Sequence, residues 1–253
     1  MTPLIWITTI LVASAAGFLG TFMISKRMSL TAGPFGHLAL PGVAIALLYD
    51  FNVFLGALGF ILFGALIVWV LRRVSNLPLE ALTGIAFVFG LSLGFLFLPM
   101  EHAKEAIMGD VTKININDFW IALTFSIITF ITVSKIHKKI VLVTLSEDLA
   151  KTLGANVKTL DLIFLILIAL VTAMEVKIVG GIMTVAMIIL PASIASNLAR
   201  SLKQYLLISP LSGVISASIG LLIYQYTNLP AGPLIILSLF TLFLISLLFK
   251  KRV

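Results

Sequence analysis

Cysteine is absent from this 253-residue chain, which excludes both disulfides and thiolate metal ligands. Charge is scarce: 11% of residues are charged, against about 25% in ordinary soluble domains. Hydrophobic residues make up 60%, and the mean hydropathy is +1.20. Too little polar surface remains to cover a water-soluble core of this size. There is no GxxxxGK[ST] phosphate loop, so the chain cannot hydrolyse ATP by itself. The lack of an HExxH motif and of paired intramembrane aspartates argues against an intramembrane enzyme. No basic residue precedes the first apolar run, MTPLIWITTILVASAAGFLG. That run is therefore expected to be an uncleaved first span, since a signal peptide starts with a charged segment.

Long apolar stretches recur from end to end, each near the ~20 residues a helix needs to cross a bilayer. Polar breaks divide the chain into nine candidate spans, near 4–25, 30–49, 53–71, 79–98, 119–134, 160–175, 179–199, 205–226 and 231–249. The expected fold is an all-α polytopic membrane protein, a single transmembrane domain over 1–253.

The 17 basic residues test that count. With the N-terminus outside, the inner side collects Lys26, Arg27, Arg72, Arg73, Lys135, Lys138, Lys139, Lys151, Lys158, Arg200, Lys203, Lys250, Lys251 and Arg252. Only Lys104, Lys113 and Lys177 fall outside, fourteen against three. Cytoplasmic loops carry this excess. The expected topology is N-terminus out and C-terminus cytoplasmic. Asp50, Glu101, Glu105, Asp110, Asp118 and Glu175 gather outside. An acidic mouth concentrates cations, although soluble loops also need charge for its own sake.

Three histidines occur, and His102 and His137 fall in loops, which leaves His37 as the buried one. Gly33-Pro34 and Pro41-Gly42 flank it and are expected to loosen the helix on either side. Irregular backbone at membrane depth is tolerated only inside protein or along a wet cavity. An intramembrane ionisable residue marks a functional site by default, and imidazole is both metal ligand and proton relay. The alternative is a packed histidine donating to a neighbouring carbonyl.

SEDLAKTLGA, from Ser146 to Ala155, has the pattern of a short amphipathic helix in the largest inner loop. Ser146 is its expected N-cap and Gly154 its C-terminal stop. Leu149 and Leu153 are four apart, on one face. From the residues alone it is equally an interfacial helix on the membrane or a docking element. Further on, small residues Ala186, Ala192, Ala195 and Ser196 permit close helix approach, and Pro191 frees a carbonyl. Met183 and Met187 share a face and are either pathway sulfurs or packing filler.

Three stretches together resemble a known family: LGTFMISKRMSLTAGPFGHLALPGVAIA, EDLAKTLGANVKTLD and VGGIMTVAMIILPASIASNLARS. KEAIMGDVTKININDF and NLPAGPLIIL agree more weakly. In order and spacing they are similar to ABC-3, the membrane permease subunits of bacterial zinc, manganese and iron ABC importers. The resemblance implies a type II ABC importer-like permease in the cell (inner) membrane of a prokaryote. It implies a homodimer with the pathway at its interface, a separate ABC ATPase and an extracytoplasmic metal-binding protein. The coupling segment, Glu147, Asp148, Leu149, Ala150, Leu153 and Gly154, would dock on the ATPase. No permanently bound cofactor is expected; the cargo would be Mn, Zn or Fe. His37 would line the metal pathway, with Asn228, Glu175 and Met187 as further candidates. Two positions depart from the family. Gly33 stands where many members carry an aspartate, and Asn228 where many carry Asp before the Leu-Pro-x-Gly element. Glu175 would supply a missing charge unless Lys177 neutralises it. The competing functions are an ABC-type permease for a non-metal substrate and a stand-alone secondary transporter.

Overall fold

The computed structural model describes residues 2–250 apart from 27, 29–31, 76, 99–102 and 228, with backbone alone at 32, 79, 80, 103–105 and 147. Arg27, Glu101, His102, Asn228, Lys251 and Arg252 thus lie outside the described residues. The elements in chain order are α1 (Pro3–Ser25), α2 (Ala32–Leu48), α3 (Val53–Val74), α4 (Leu79–Phe97) and α5 (Ala103–Met108). A 3₁₀ turn (Val111–Lys113) leads into α6 (Ile116–Leu145), α7 (Glu147–Thr152) and α8 (Val157–Val179). The chain ends with α9 (Thr184–Leu198), α10 (Leu202–Tyr226) and α11 (Ala231–Leu248).

All nine apolar segments are helical. Six helices, α1, α3, α6, α8, α10 and α11, are long and apolar enough to cross a membrane. The other three are shorter in their described apolar parts, Gly33–Leu48, Ala81–Phe97 and Thr184–Leu198. Two helices outrun the segments seen in the sequence. α6 has 30 residues and α8 has 23, where 119–134 and 160–175 were expected. Lysines beyond an apolar run end the apolar face without ending the helix, because lysine is a good helix former. An Asn115–Asp118 capping box starts α6, and the Asn156 side chain caps α8.

α8 is the central post. It is buried nearly all round, and it packs on α1, α2, α3 and α6. α2 is held among α3, α4, α8 and α9. Contrary to expectation, α2 runs unbroken through both proline pairs. Pro34 sits in the first turn, where the missing N–H has no intrahelical partner to lose. Pro41 is inside the helix, a position tolerated where neighbours pack the freed backbone. Its partner Gly42 is a packing residue: a Cβ there would overlap the Gly56 carbonyl of α3. Glycine lets the two backbones meet.

Two ion-pair clusters mark opposite ends of the bundle. At one end, Lys26 after α1 bonds Asp161 of α8 at 2.7 Å, and Arg72 of α3 bonds its other oxygen. At the other end, Lys177 of α8 bonds Asp118 of α6 at 2.6 Å, and Asn52 before α3 donates to the same carboxylate at 3.2 Å. Asp161 and Asp118 are each 7% exposed in their side chains. Buried charges persist when paired and hydrogen-bonded in this way.

Candidate functional site

His37 lies in α2, half-buried, with its ring set edge-on to Phe87 of α4 at 4.7 Å and 81°. Phe87 stands near the middle of α4. Nδ1 of His37 is buried without a hydrogen-bond partner among the described residues. Pro41 follows His37 by four residues, so the helix offers no N–H to the His37 carbonyl. The same spacing joins Pro191 to Met187 in α9. Both candidate residues thus have a main-chain oxygen released by proline, and both family-like motifs contain that proline.

α2 and α9 pack together at this level. Gly36 sits against the Gly181 carbonyl and the Thr184 hydroxyl, and among the described residues a Cβ on Gly33 would meet only the Val185 side chain, at 3.8 Å. Gly180 makes the turn possible. It takes φ +81° at the C-terminus of α8 and lies against the Ile107 carbonyl, where a side chain has no room. The Met187 side chain is fully buried within the core. Met183 precedes α9 and is partly buried against the same core.

Glu175 is fully buried in α8, and neither carboxylate oxygen has a hydrogen-bond partner among the described residues. Thr172, one turn earlier, is likewise buried and unpartnered. Lys177, two residues on, is committed to Asp118. Asn228 lies outside the described residues. No group of three or more His, Asp or Glu able to hold a metal ion occurs among the described residues. The structure therefore brings α2 against the start of α9 at Gly33 and Gly36, within one turn of His37, buries Met187 in the core, and places Glu175 separately on the central helix.

The short helix α7 has the caps its sequence foretells. Ser146 accepts from the Leu149 N–H at 3.2 Å. At the other end the Ala155 N–H bonds the Ala150 carbonyl at 2.9 Å and the Gly154 N–H bonds the Lys151 carbonyl at 3.0 Å. With Gly154 at φ +78°, this is the paired-bond Schellman ending. Ala150 is fully buried, while Leu149 is 50% and Leu153 67% exposed. Asp148 is exposed and lies 3.7 Å from Lys151. The Glu147 backbone opens the helix.

Sequence reasoning missed the two ion-pair clusters. Their partners are 59 to 135 residues apart, and the only local signal is a charge at a helix end. A G-x-S-x-G string, Gly90 to Gly94, invites a hydrolase reading. It lies inside α4 with the Ser92 hydroxyl donating to the Val88 carbonyl, whereas a nucleophile elbow needs a strand-to-helix turn.

The ABC 3 transport family model matches residues 2–250. The manganese import system permease protein ScaB of Streptococcus gordonii is 31% identical over 244 residues, covering 95% of this chain and 88% of the relative. The high-affinity zinc uptake system membrane protein ZnuB of Buchnera aphidicola is 28% identical over 252 residues, covering 97% and 96%. Among solved structures, PsaBC from Streptococcus pneumoniae in complex with Fab superposes with a TM-score of 0.83 at 29% identity, covering 96% of this chain and 89% of that one. A match of this extent takes in α2 with its histidine, the capped α7 and the proline-bearing α9 alike, and so this multi-pass membrane chain belongs to the ABC-3 transport family.

Proposed function

We propose that the chain is the permease subunit of an ATP-binding-cassette importer for a divalent transition-metal cation, manganese, zinc or iron. The observation that carries this reading is the end-to-end likeness to permease subunits named for manganese and zinc uptake. In this reading all nine apolar helices cross the cell (inner) membrane of a prokaryote, with the N-terminus outside. Support comes from the ion-pair clusters, which put Lys26, Arg72 and Asp161 at one end and Asn52, Asp118 and Lys177 at the other. These are the sides the positive-inside count assigns.

Two permease copies would enclose the pathway over two ATPases, with an extracytoplasmic metal-binding protein delivering the ion. The α7 leucines present an apolar pair suited to a groove on the ATPase. His37 would meet the cation in transit through its imidazole nitrogen, and a proline-freed carbonyl adds an oxygen donor acceptable to Mn²⁺. Glu175 is the one buried carboxylate without a partner among the described residues, and it completes the candidate pathway with Asn228 and Met187.

Uptake of radiolabelled Mn²⁺ and Zn²⁺ into vesicles holding the permease and its ATPase tests the proposal. Uptake should require ATP and both subunits. Uptake by the permease alone, insensitive to ATP, would make it a secondary transporter. ATP-dependent assembly without uptake of any divalent metal would point to a non-metal cargo.

A further inference from the structure

At the basic end of the bundle a cleft of about 190 Å³ opens between the end of α3 and the start of α8, lined by Trp69, Arg72, Arg73, Val157, Lys158 and Asp161. Its charges are unequal in their commitments. Asp161 is already shared by Lys26 and Arg72. Arg73 and Lys158 are exposed, and neither has a carboxylate partner among the described residues. The cleft therefore presents two uncommitted cations beside a neutralised carboxylate.

Its floor is fixed. The Trp69 indole donates to the Lys158 carbonyl at 3.2 Å, and the Arg73 guanidinium lies over the indole ring at 3.6 Å. Stacking leaves the in-plane N–H groups of that guanidinium free to form a fork, which suits a phosphate. The position on α3 indicates the source of that phosphate. Leu55, Phe63, Leu66 and Val70 are exposed along one stripe of α3, spaced as a single helix face, and Arg73 follows one turn on. An apolar stripe finishing in arginine and tryptophan is the pattern of an acyl chain meeting its head group.

We infer that this cleft binds the phosphodiester head group of an anionic phospholipid, with Arg73 and Lys158 as its ligands and Trp69 as their platform. Basic pockets between helix ends on the inner side bind such head groups. The inference rests on the membrane reading of the chain and is independent of which cargo is carried.

The full chain in nanodiscs, with Trp6→Phe and Trp120→Phe leaving Trp69 as the single indole, supplies the test. Brominated phosphatidylglycerol should quench Trp69 more than brominated phosphatidylcholine at equal mole fraction. Arg73→Gln with Lys158→Gln should weaken that preference by about thirtyfold, and Lys203→Gln should leave it unchanged. Lys158→Gln alone, on an exposed stem, should give a partial loss and covers the case of a double variant that does not fold. Displacement of the brominated lipid by inorganic phosphate would keep the phosphate site and give it a soluble occupant. Equal quenching by both lipids overturns the proposal. So does a preference that survives in the double variant, or loss of ATPase association with the preference intact.

Discussion

His37 combines three properties that packing alone does not require: a buried ring nitrogen without a partner among the described residues, a carbonyl four residues before a proline, and a place in α2 beside the middle of α4. In the proposed reading of His37 as a pathway ligand, its replacement by alanine should cut metal uptake by about tenfold or more, the scale of changes close to a metal centre. Expression and ATPase association should persist, since the lost edge-on contact with Phe87 is worth only about 0.5–1.5 kcal/mol. Unchanged uptake would reduce His37 to a packing residue. Gly33 lies one helical turn before it, and among the described residues only Val185 is within reach of a side chain added there. Gly33→Asp should tighten Mn²⁺ binding in equilibrium dialysis, because a carboxylate near the imidazole favours a divalent cation. Equal affinity in the two proteins would separate Gly33 from the ion's route.

At the scale of the element, α7 is held by its caps and by the buried Ala150, and its leucines remain outside the core. Exposed leucines on a short capped helix are a liability unless something covers them. Leu149→Asp and Leu153→Asp should each abolish co-purification of the ATPase while membrane insertion and thermal unfolding stay unchanged. A buried unpaired charge costs about 3–5 kcal/mol, more than a contact centred on two leucines can absorb. If both variants still assemble, the docking surface lies on another element.

The whole molecule is tied across its ends by buried charge. Asp161→Ala leaves Lys26, 7% exposed in its side chain, without its counter-ion. The expected loss is about 3–5 kcal/mol, the usual consequence of breaking a buried pair from one side. Asp148→Ala removes an exposed partner at 3.7 Å and should not shift the midpoint, as exposed pairs contribute little. Thermal unfolding in one detergent compares the two, and equal midpoints would deny the cluster its structural role. Native mass measurement of the complex should show two permease copies with two ATPases. A stable pairing of one permease with one ATPase would place the pathway within a single chain.

Hydropathy needs only local composition, so the nine apolar segments and their helical nature were legible along the chain. So were the Ser146 and Gly154 caps of α7, because a cap bonds to residues only three to five away. The resemblance to ABC-3 also lay in the sequence, in motifs that keep their order. Helix ends were less legible: α6 and α8 run past their apolar cores because lysine ends hydrophobicity and not the helix. What the tertiary structure alone decided are the pairings between distant elements. Lys177 stands two residues from Glu175 in sequence, yet α6 brings Asp118 to it and leaves Glu175 buried without a partner among the described residues. Gly42 looks like a helix breaker beside proline, yet the crossing of α2 over α3 makes it a contact with Gly56. In each case the deciding neighbour sits on another helix, and which helices touch is set by how all their surfaces pack at once.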